Sequence, residues 1–180
     1  MTNQMKFSLM LPIAFLLIGS SCGKKADVVV PANANTVAAT VNGTNLNFST
    51  GAFAEFETLT TGAYTANLLV INGETGTDGN QATIGLTVAF YGSVASGTYV
   101  SSDTTPPVSN SQLIYAKDTA SSQITDPFIT DNSGHYLTTV VITSITSTHV
   151  QGTFNGTLIN SLGSSGTEAV TNGTFDLAIK

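Results

Sequence analysis

From residue 36 to the C-terminus the apolar positions recur at every second residue. Ala82, Ile84, Leu86, Val88 and Phe90 alternate with Thr83, Gly85, Thr87 and Ala89, the period of a strand with one face turned inward. Val150, Phe154 and Leu158 share a parity, and Gly152 and Gly156 fall in the same register. Glycines so placed mark bulges, or points where a neighbouring strand or ring packs close. Phe175, Leu177 and Ile179 form a third alternating set. Further strands are predicted over Thr36–Val41, Asn67–Ile71, Gln112–Ala116 and Tyr136–Ile142, all rich in residues that suit a pleated, half-buried surface. Asn-Gly recurs at Asn42-Gly43, Asn72-Gly73, Asn155-Gly156 and Asn172-Gly173. The dipeptide favours tight hairpin turns, although Asn155-Gly156 falls inside a predicted strand.

Helical signal is thin. Phe53, Phe56 and Leu59 are spaced three apart in GAFAEFETLTTG, which fits one short helix or a strand with Glu55 and Glu57 facing out. Pro106-Pro107 in SSDTTPPVSNS stops both helix and central strand. The fold class is therefore all-β: a single antiparallel β-sandwich or small β-barrel. The two GTF units, Gly152-Thr153-Phe154 and Gly173-Thr174-Phe175, are expected to turn both rings inward, on strands of one sheet or of facing sheets.

The N-terminal region has a different pattern. Leu9 to Ile18 is an uncharged run, preceded by Lys6 and followed by the small residues Gly19, Ser20 and Ser21. A positive start, a short apolar stretch and a small-residue exit describe a secretory signal peptide, here residues 1–21. The run falls short of the roughly 20 residues a spanning helix needs, and Pro12 interrupts it. Met5-Lys6 is an alternative start. The only cysteine, Cys22, follows directly, and Gly19-Ser20-Ser21-Cys22 resembles a bacterial lipobox, with Gly19 where the usual pattern has Leu. SSCGKK is similar to the corresponding stretch in lipoproteins of the Bacteroidetes. The resemblance implies lipidation of Cys22 and a membrane anchor; two or three acyl chains hold stably where one does not. Plain secretion would instead leave a free thiol in an oxidising compartment. Residues 22–35 then read as the lipidated cysteine and a flexible tether that reaches at most about 45 Å, and residues 36–180 as the domain.

Composition narrows the function. The chain has 180 residues, 5 Lys and Arg together against 11 Asp and Glu, and a formal net charge of −6; removal of Lys6 with the leader leaves it more acidic. Every basic residue is Lys or His, and without a basic patch or Arg forks nucleic acid is not a partner. Charged residues make up 9% against about 25% in an average domain, so the surface is expected to be built of Thr, Ser, Asn and Gly. One cysteine permits no internal disulfide, and the fold must hold by its core.

Two stretches carry a family resemblance. VVITSITSTHVQGTFNGTL (Val140–Leu158) and EAVTNGTFDLAI (Glu168–Ile179) resemble the C-terminal signature of a family of Bacteroidetes lipoproteins of unknown function, with weaker likeness at Ala39–Thr44 and Gly97–Val100. The resemblance implies the fold and a place in the cell envelope, and carries over no catalytic residue. Gly23, and not Asp, follows the cysteine, which by resemblance to sorted lipoproteins implies the outer membrane.

Candidate chemistry is sparse. There is no G-x-S-x-G elbow, no H-E-x-x-H and no Cys/His cluster, and no cofactor is implied. His135 and His149 sit near predicted turns. Glu55 with Glu57, and Asp126 with Asp131, are carboxylate pairs of the kind glycoside hydrolysis uses, but isolated loop acids explain them more simply. NGETGTDGN (Glu74, Asp78, Asn80) and TDNSGH lack the ligand order of a calcium loop. A binding or scaffolding domain, with an unknown protein or glycan partner, fits better than an enzyme. The other readings are a barrel carrying a small apolar ligand and, further off, a glycan-active enzyme. No Trp is present for a strong sugar platform, which leaves Tyr64, Tyr91, Tyr99, Tyr115 and Tyr136. Asp103-Thr104-Thr105 and Asp118-Thr119-Ala120 match the short motif that Bacteroidetes use for O-glycosylation of exported proteins, making Thr104 and Thr119 candidate acceptors. The intact mass of the chain from its native host is expected to exceed the polypeptide mass by a glycan on Thr104, the copy beside Pro106-Pro107. An unmodified mass on both threonines contradicts it.

Overall fold

The computed structural model describes residues 35–180, apart from 77–80, 102–108, 120–122, 132 and 164–165. Cys22, the leader, the tether, Thr104 and the Pro106-Pro107 loop lie outside the described residues. Among the described residues eleven strands are present: β1 (Thr36–Val41), β2 (Thr44–Asn47), β3 (Thr50–Thr61), β4 (Tyr64–Glu74), β5 (Ala82–Phe90), β6 (Gly97–Val100), β7 (Asn110–Thr119), β8 (Gln123–Thr130), β9 (Thr138–Ile145), β10 (His149–Asn160) and β11 (Thr167–Ala178). They form one curled antiparallel sheet, a half-barrel, in the order β2-β1-β11-β10-β8-β7-β5-β4-β3, with β9 pairing with β10 and β6. All the predicted strands are there. The ambiguous stretch around Phe56 is strand β3, with Glu55 and Glu57 on its outward face.

The alternation works as expected. Ile84, Leu86, Val88 and Phe90 of β5 are buried, as are Val150, Phe154 and Leu158 of β10 and Phe175 and Leu177 of β11. The inward side chains of the strands make one continuous cluster with Phe48 at its centre of bulk; Phe48 meets Tyr115 edge-on, with ring centroids 6.3 Å apart. The curl is drawn together by two short links. Phe48 N donates to Val37 O at 2.7 Å, which holds the segment before β3 against β1. On the far side Ala54 bridges to Ile179, and Lys180 N donates to Ala54 O at 2.9 Å, so β3 meets the end of β11.

The Asn-Gly pairs need correction. Only Asn42-Gly43 is a hairpin turn, with both residues at positive φ, 47° and 81°, the two-residue turn whose twist suits flanking strands. Asn72-Gly73 lies within β4, where a Cβ on Gly73 would overlap the Phe48 carbonyl. Asn172-Gly173 lies within β11. Phe154 faces Gly173 and Gly156 faces Val170, so two β11 residues oppose Asn155 alone. This is a bulge, with Asn172 at φ 51°. The extra residue reverses the parity of the strand, so that Glu168 and Val170 as well as Phe175 and Leu177 all point inward.

The two GTF units interlock. Gly152 is the register partner of Phe175, and Gly173 is the partner of Phe154. Each ring lies over the other unit's glycine, where any Cβ would overlap it. The rings are 1% and 2% exposed, stacked at 6.4 Å with an interplanar angle of 25°. A glycine leaves a bare strip of backbone in a strand, and the facing ring fills it.

A second internal feature runs against the composition. β10 is flanked on one edge by β9 and further along by β8, so the sheet forks there. The fork is filled by hydroxyls: Ser101, Ser111, Thr130 and Thr138 are all buried. Thr130 Oγ1 accepts from Leu113 N at 2.7 Å and lies 3.0 Å from Thr138 Oγ1. Ser101 Oγ accepts from Thr138 N at 2.8 Å, and Ser111 Oγ donates to Tyr99 O at 3.0 Å. Residues expected at the surface here complete the backbone ladder where two strands part, because each buried polar group needs a partner.

Truncation of a buried Phe costs about 3–5 kcal/mol out of a typical total of roughly 5–15. Phe154→Ala and Phe175→Ala are expected to lower the denaturant midpoint sharply, and Gly152→Ala and Gly173→Ala to do so comparably by displacing the rings. Unchanged midpoints in the glycine variants would show that the interlock carries no stability.

Candidate functional site

The outward faces of β3, β4, β5 and β7 present side chains in rows set by strand register. Glu57, Leu68, Ala89 and Asn110 lie side by side across the four strands, and Glu55, Val70, Thr87 and Gln112 form the next row. Beyond them Phe53, Asn72, Gly85 and Ile114 follow, with Ile129 of β8 opposite Ile114. At the other end Leu59 pairs with Ala66. β5 ends opposite Asn67, so the tip of the β3–β4 hairpin runs past it as a two-stranded ribbon.

Two hollows lie on this face. One, of about 210 Å³, is lined by Leu59, Leu68, Thr87, Ala89, Tyr91, Asn110 and Gln112. The other, also about 210 Å³, is lined by Gln112, Leu113, Ile114, Ile129 and Thr130. Both are lined by Gln112, and the two hollows together are named the trough along β7. Leu59 is 49% exposed and Ile114 45%, and every residue lining the trough is uncharged. Glu55 and Glu57, which share a face as their spacing predicts, border it from β3.

The other candidates fall elsewhere. Tyr115 is buried against Phe48, and burial raises its phenol above the usual range. Tyr99 packs edge-on against Phe90 and donates to Ala95 O at 2.7 Å. Tyr64 is exposed on the ribbon. Tyr136 stands beside His135, ring to ring at 4.6 Å. His149 opens β10, with Nε2 2.6 Å from Asp176 Oδ1, and Gln151 donates to the other oxygen at 2.7 Å; these contacts tie β10 to β11 on the outer surface. Thr119 is the last residue of β7 and pairs with Gln123. Glu74 ends β4, while Asp78 and Asn80 lie outside the described residues. Among the described residues no group of three or more His, Cys, Asp and Glu side chains is placed to hold a metal.

One ion pair with a buried carboxylate and an exposed lysine leaves no signal in the sequence pattern. Glu168 is 6% exposed, turned inward by the β11 bulge. It accepts from Lys117 Nζ at 3.1 Å and from Asn42 Nδ2, and Asn42 in turn accepts from Ala169 N at 2.9 Å. The hydrogen bond to Glu168 raises the Lys117 ammonium above its usual range. The pair closes one end of the core and pins the β1–β2 turn to β11. No periodicity flags it, because it depends on the bulge that reverses parity.

Comparison of the chain with family models, with curated proteins and with solved structures returned no match.

Asp131, one of the sequence-stretch acids at TDNSGH, is an organiser of its own loop. It accepts from Ser133 N and Ser133 Oγ, both at 2.8 Å, and from Tyr136 N at 3.2 Å. The Ser133 bonds hold its carboxyl below the usual carboxylate range. A carboxyl lowered by folding adds stability above its unfolded value near about 3.9, and that stability is lost as pH falls through the folded value. Asp131→Asn is therefore expected to melt below the wild type at about pH 6, with the gap closing toward about pH 2. A gap that does not change with pH contradicts this.

Proposed function

We propose that this chain is a lipid-anchored protein of the cell envelope, held in the outer membrane through Cys22, whose all-β domain is a non-enzymatic binding or scaffolding module. The observation that carries the binding half is the contrast between inside and outside. The interior is filled by large side chains, Phe48, Phe90 and Phe154 among them, which weighs against a carrier with its ligand inside the barrel. The outer face of β3, β4, β5 and β7 carries a neutral, half-apolar trough with two exposed aliphatic side chains. Exposed apolar surface of this kind marks interaction sites. The anchoring half rests on the apolar run, the small residues before Cys22 and the tether after it.

Two measurements test the two halves. Wild-type chain is expected in the membrane fraction with an acylated N-terminal cysteine, and Cys22→Ser in the soluble fraction or as uncleaved precursor; a soluble wild type with a free thiol sinks the anchor. A photo-crosslinking residue at Leu59 is expected to give an adduct of defined mass in native cells, and one at Thr174, on the opposite outer face, none. No adduct at Leu59 removes the binding reading.

A further inference from the structure

We infer that the trough along β7 is a binding site for a neutral saccharide chain. This rests on the reading of the domain as a binding module and names the ligand class of that site.

The chemistry of the lining selects the ligand. Asn110 and Gln112 offer planar amides with donors and an acceptor each, and Thr87 and Tyr91 offer hydroxyls. Such groups pair with the vicinal hydroxyls of a sugar ring. Leu59, Leu68 and the Tyr91 ring give apolar surface for the ring's C–H face. Gln112 is exposed, and Thr87 and Tyr91 are half-buried.

Charge argues against the competing classes. Neither cationic side chain of the described domain lines the trough: Lys117 binds Glu168 at 3.1 Å, and Lys180 lies over the Phe53 ring at 4.2 Å, at the far border of the same face. With no counter-charge in the trough, and Glu55 and Glu57 at its border, a phosphate, sulfate or uronate finds no partner. An extended peptide gains little here either. Peptides bind sheets by adding a strand at an edge; along the rows that line the first hollow β4 and β5 are paired on both sides, and where β8 does not reach β7 the Leu113 N–H and C=O are taken by Thr130 Oγ1. A face that offers only side chains suits a ligand recognised through hydroxyls and ring faces.

Geometry argues for a chain over a single sugar. Each hollow, at about 210 Å³, is smaller than the roughly 300–1,000 Å³ of a typical ligand pocket. Sharing Gln112, they form consecutive subsites along one strand. Ile114 and Ile129 floor the second, and the β3–β4 ribbon, through Leu59, walls the first.

The test is calorimetric titration of the full chain, held in a detergent without a sugar headgroup, with maltohexaose, cellohexaose, xylohexaose and the N-acetylglucosamine hexamer, and with hexagalacturonate as the anionic counterpart. At least one neutral hexamer is expected to bind with Kd between about 10 μM and 1 mM, as a shallow site allows, and more tightly than hexagalacturonate. Tyr91→Ala and Gln112→Ala are expected to weaken it at least tenfold, Gln112→Ala with the wild-type melting midpoint, since that side chain is exposed; Thr174→Ala is expected to change nothing. Failure of all four neutral hexamers to bind, or binding untouched by Tyr91→Ala and Gln112→Ala, overturns the inference. A crosslinked protein at Leu59 without saccharide binding overturns the ligand class and leaves the binding module standing; neither adduct nor saccharide overturns both.

Discussion

The packing of two phenylalanines over two glycines sets the geometry of this fold. Phe154 covers Gly173 and Phe175 covers Gly152, so β10 and β11 mate in a single register. A one-residue slip would drive each ring into a side chain and turn the inward set of residues outward. β11 is also the strand on which β1 pairs and toward which β3 returns through Ile179. The curl of the whole sheet is thus referred to one pair of strands, and that pair is indexed by four residues. The bulge at Asn172 belongs to the same device: it adds the twist that a curling sheet requires and changes which residues face inward on either side of it.

With few charges, the domain spends its polar groups internally. The fork between β8 and β9 leaves backbone donors of β7 and β9 without a neighbouring strand, and Ser101, Ser111, Thr130 and Thr138 stand in for it. Gly156 is small enough to admit Thr138 at that point, where a Cβ would lie 2.7 Å from its hydroxyl. At one end of the core Lys117, Glu168 and Asn42 form a closed set, each carboxylate oxygen matched to a donor. A buried carboxylate is tolerated only on such terms. These networks account for polar residues that would otherwise invite a catalytic reading, and His149 with Asp176 joins strands in the same manner on the outside.

The recognition surface we propose is the outer face of β3, β4, β5 and β7. The side chains that line its trough come largely from five strands that converge only through the sheet, and all are uncharged. The acids nearest to it, Glu55 and Glu57, sit on the border strand and face the same way as the trough. A lining of amides, hydroxyls and aliphatic groups is suited to ligands without strong charge.

The alternation of apolar and polar residues was enough to locate the strands, because a half-buried strand imposes a period of two on its own sequence. Ala82–Phe90, Thr36–Val41 and the ends of β10 and β11 could be read this way, and so could the inward rings of the GTF units. The expected leader and the expected lipidation of Cys22 also rest on local pattern, and they lie outside the described residues. Tertiary structure decided the rest. Asn-Gly marks a positive φ or a need for no side chain, and a turn, a bulge and a backbone crossing all meet that description; only the neighbouring strand says which applies at Asn42, Asn172 and Gly73. Phe56 and Leu59 have helical spacing, yet lie on opposite faces of a strand because β4 supplies the hydrogen bonds along β3. The inward turn of Glu168, the buried hydroxyls and the trough along β7 are products of pairing between segments far apart in the chain, and pairing at a distance leaves no period in the sequence to read.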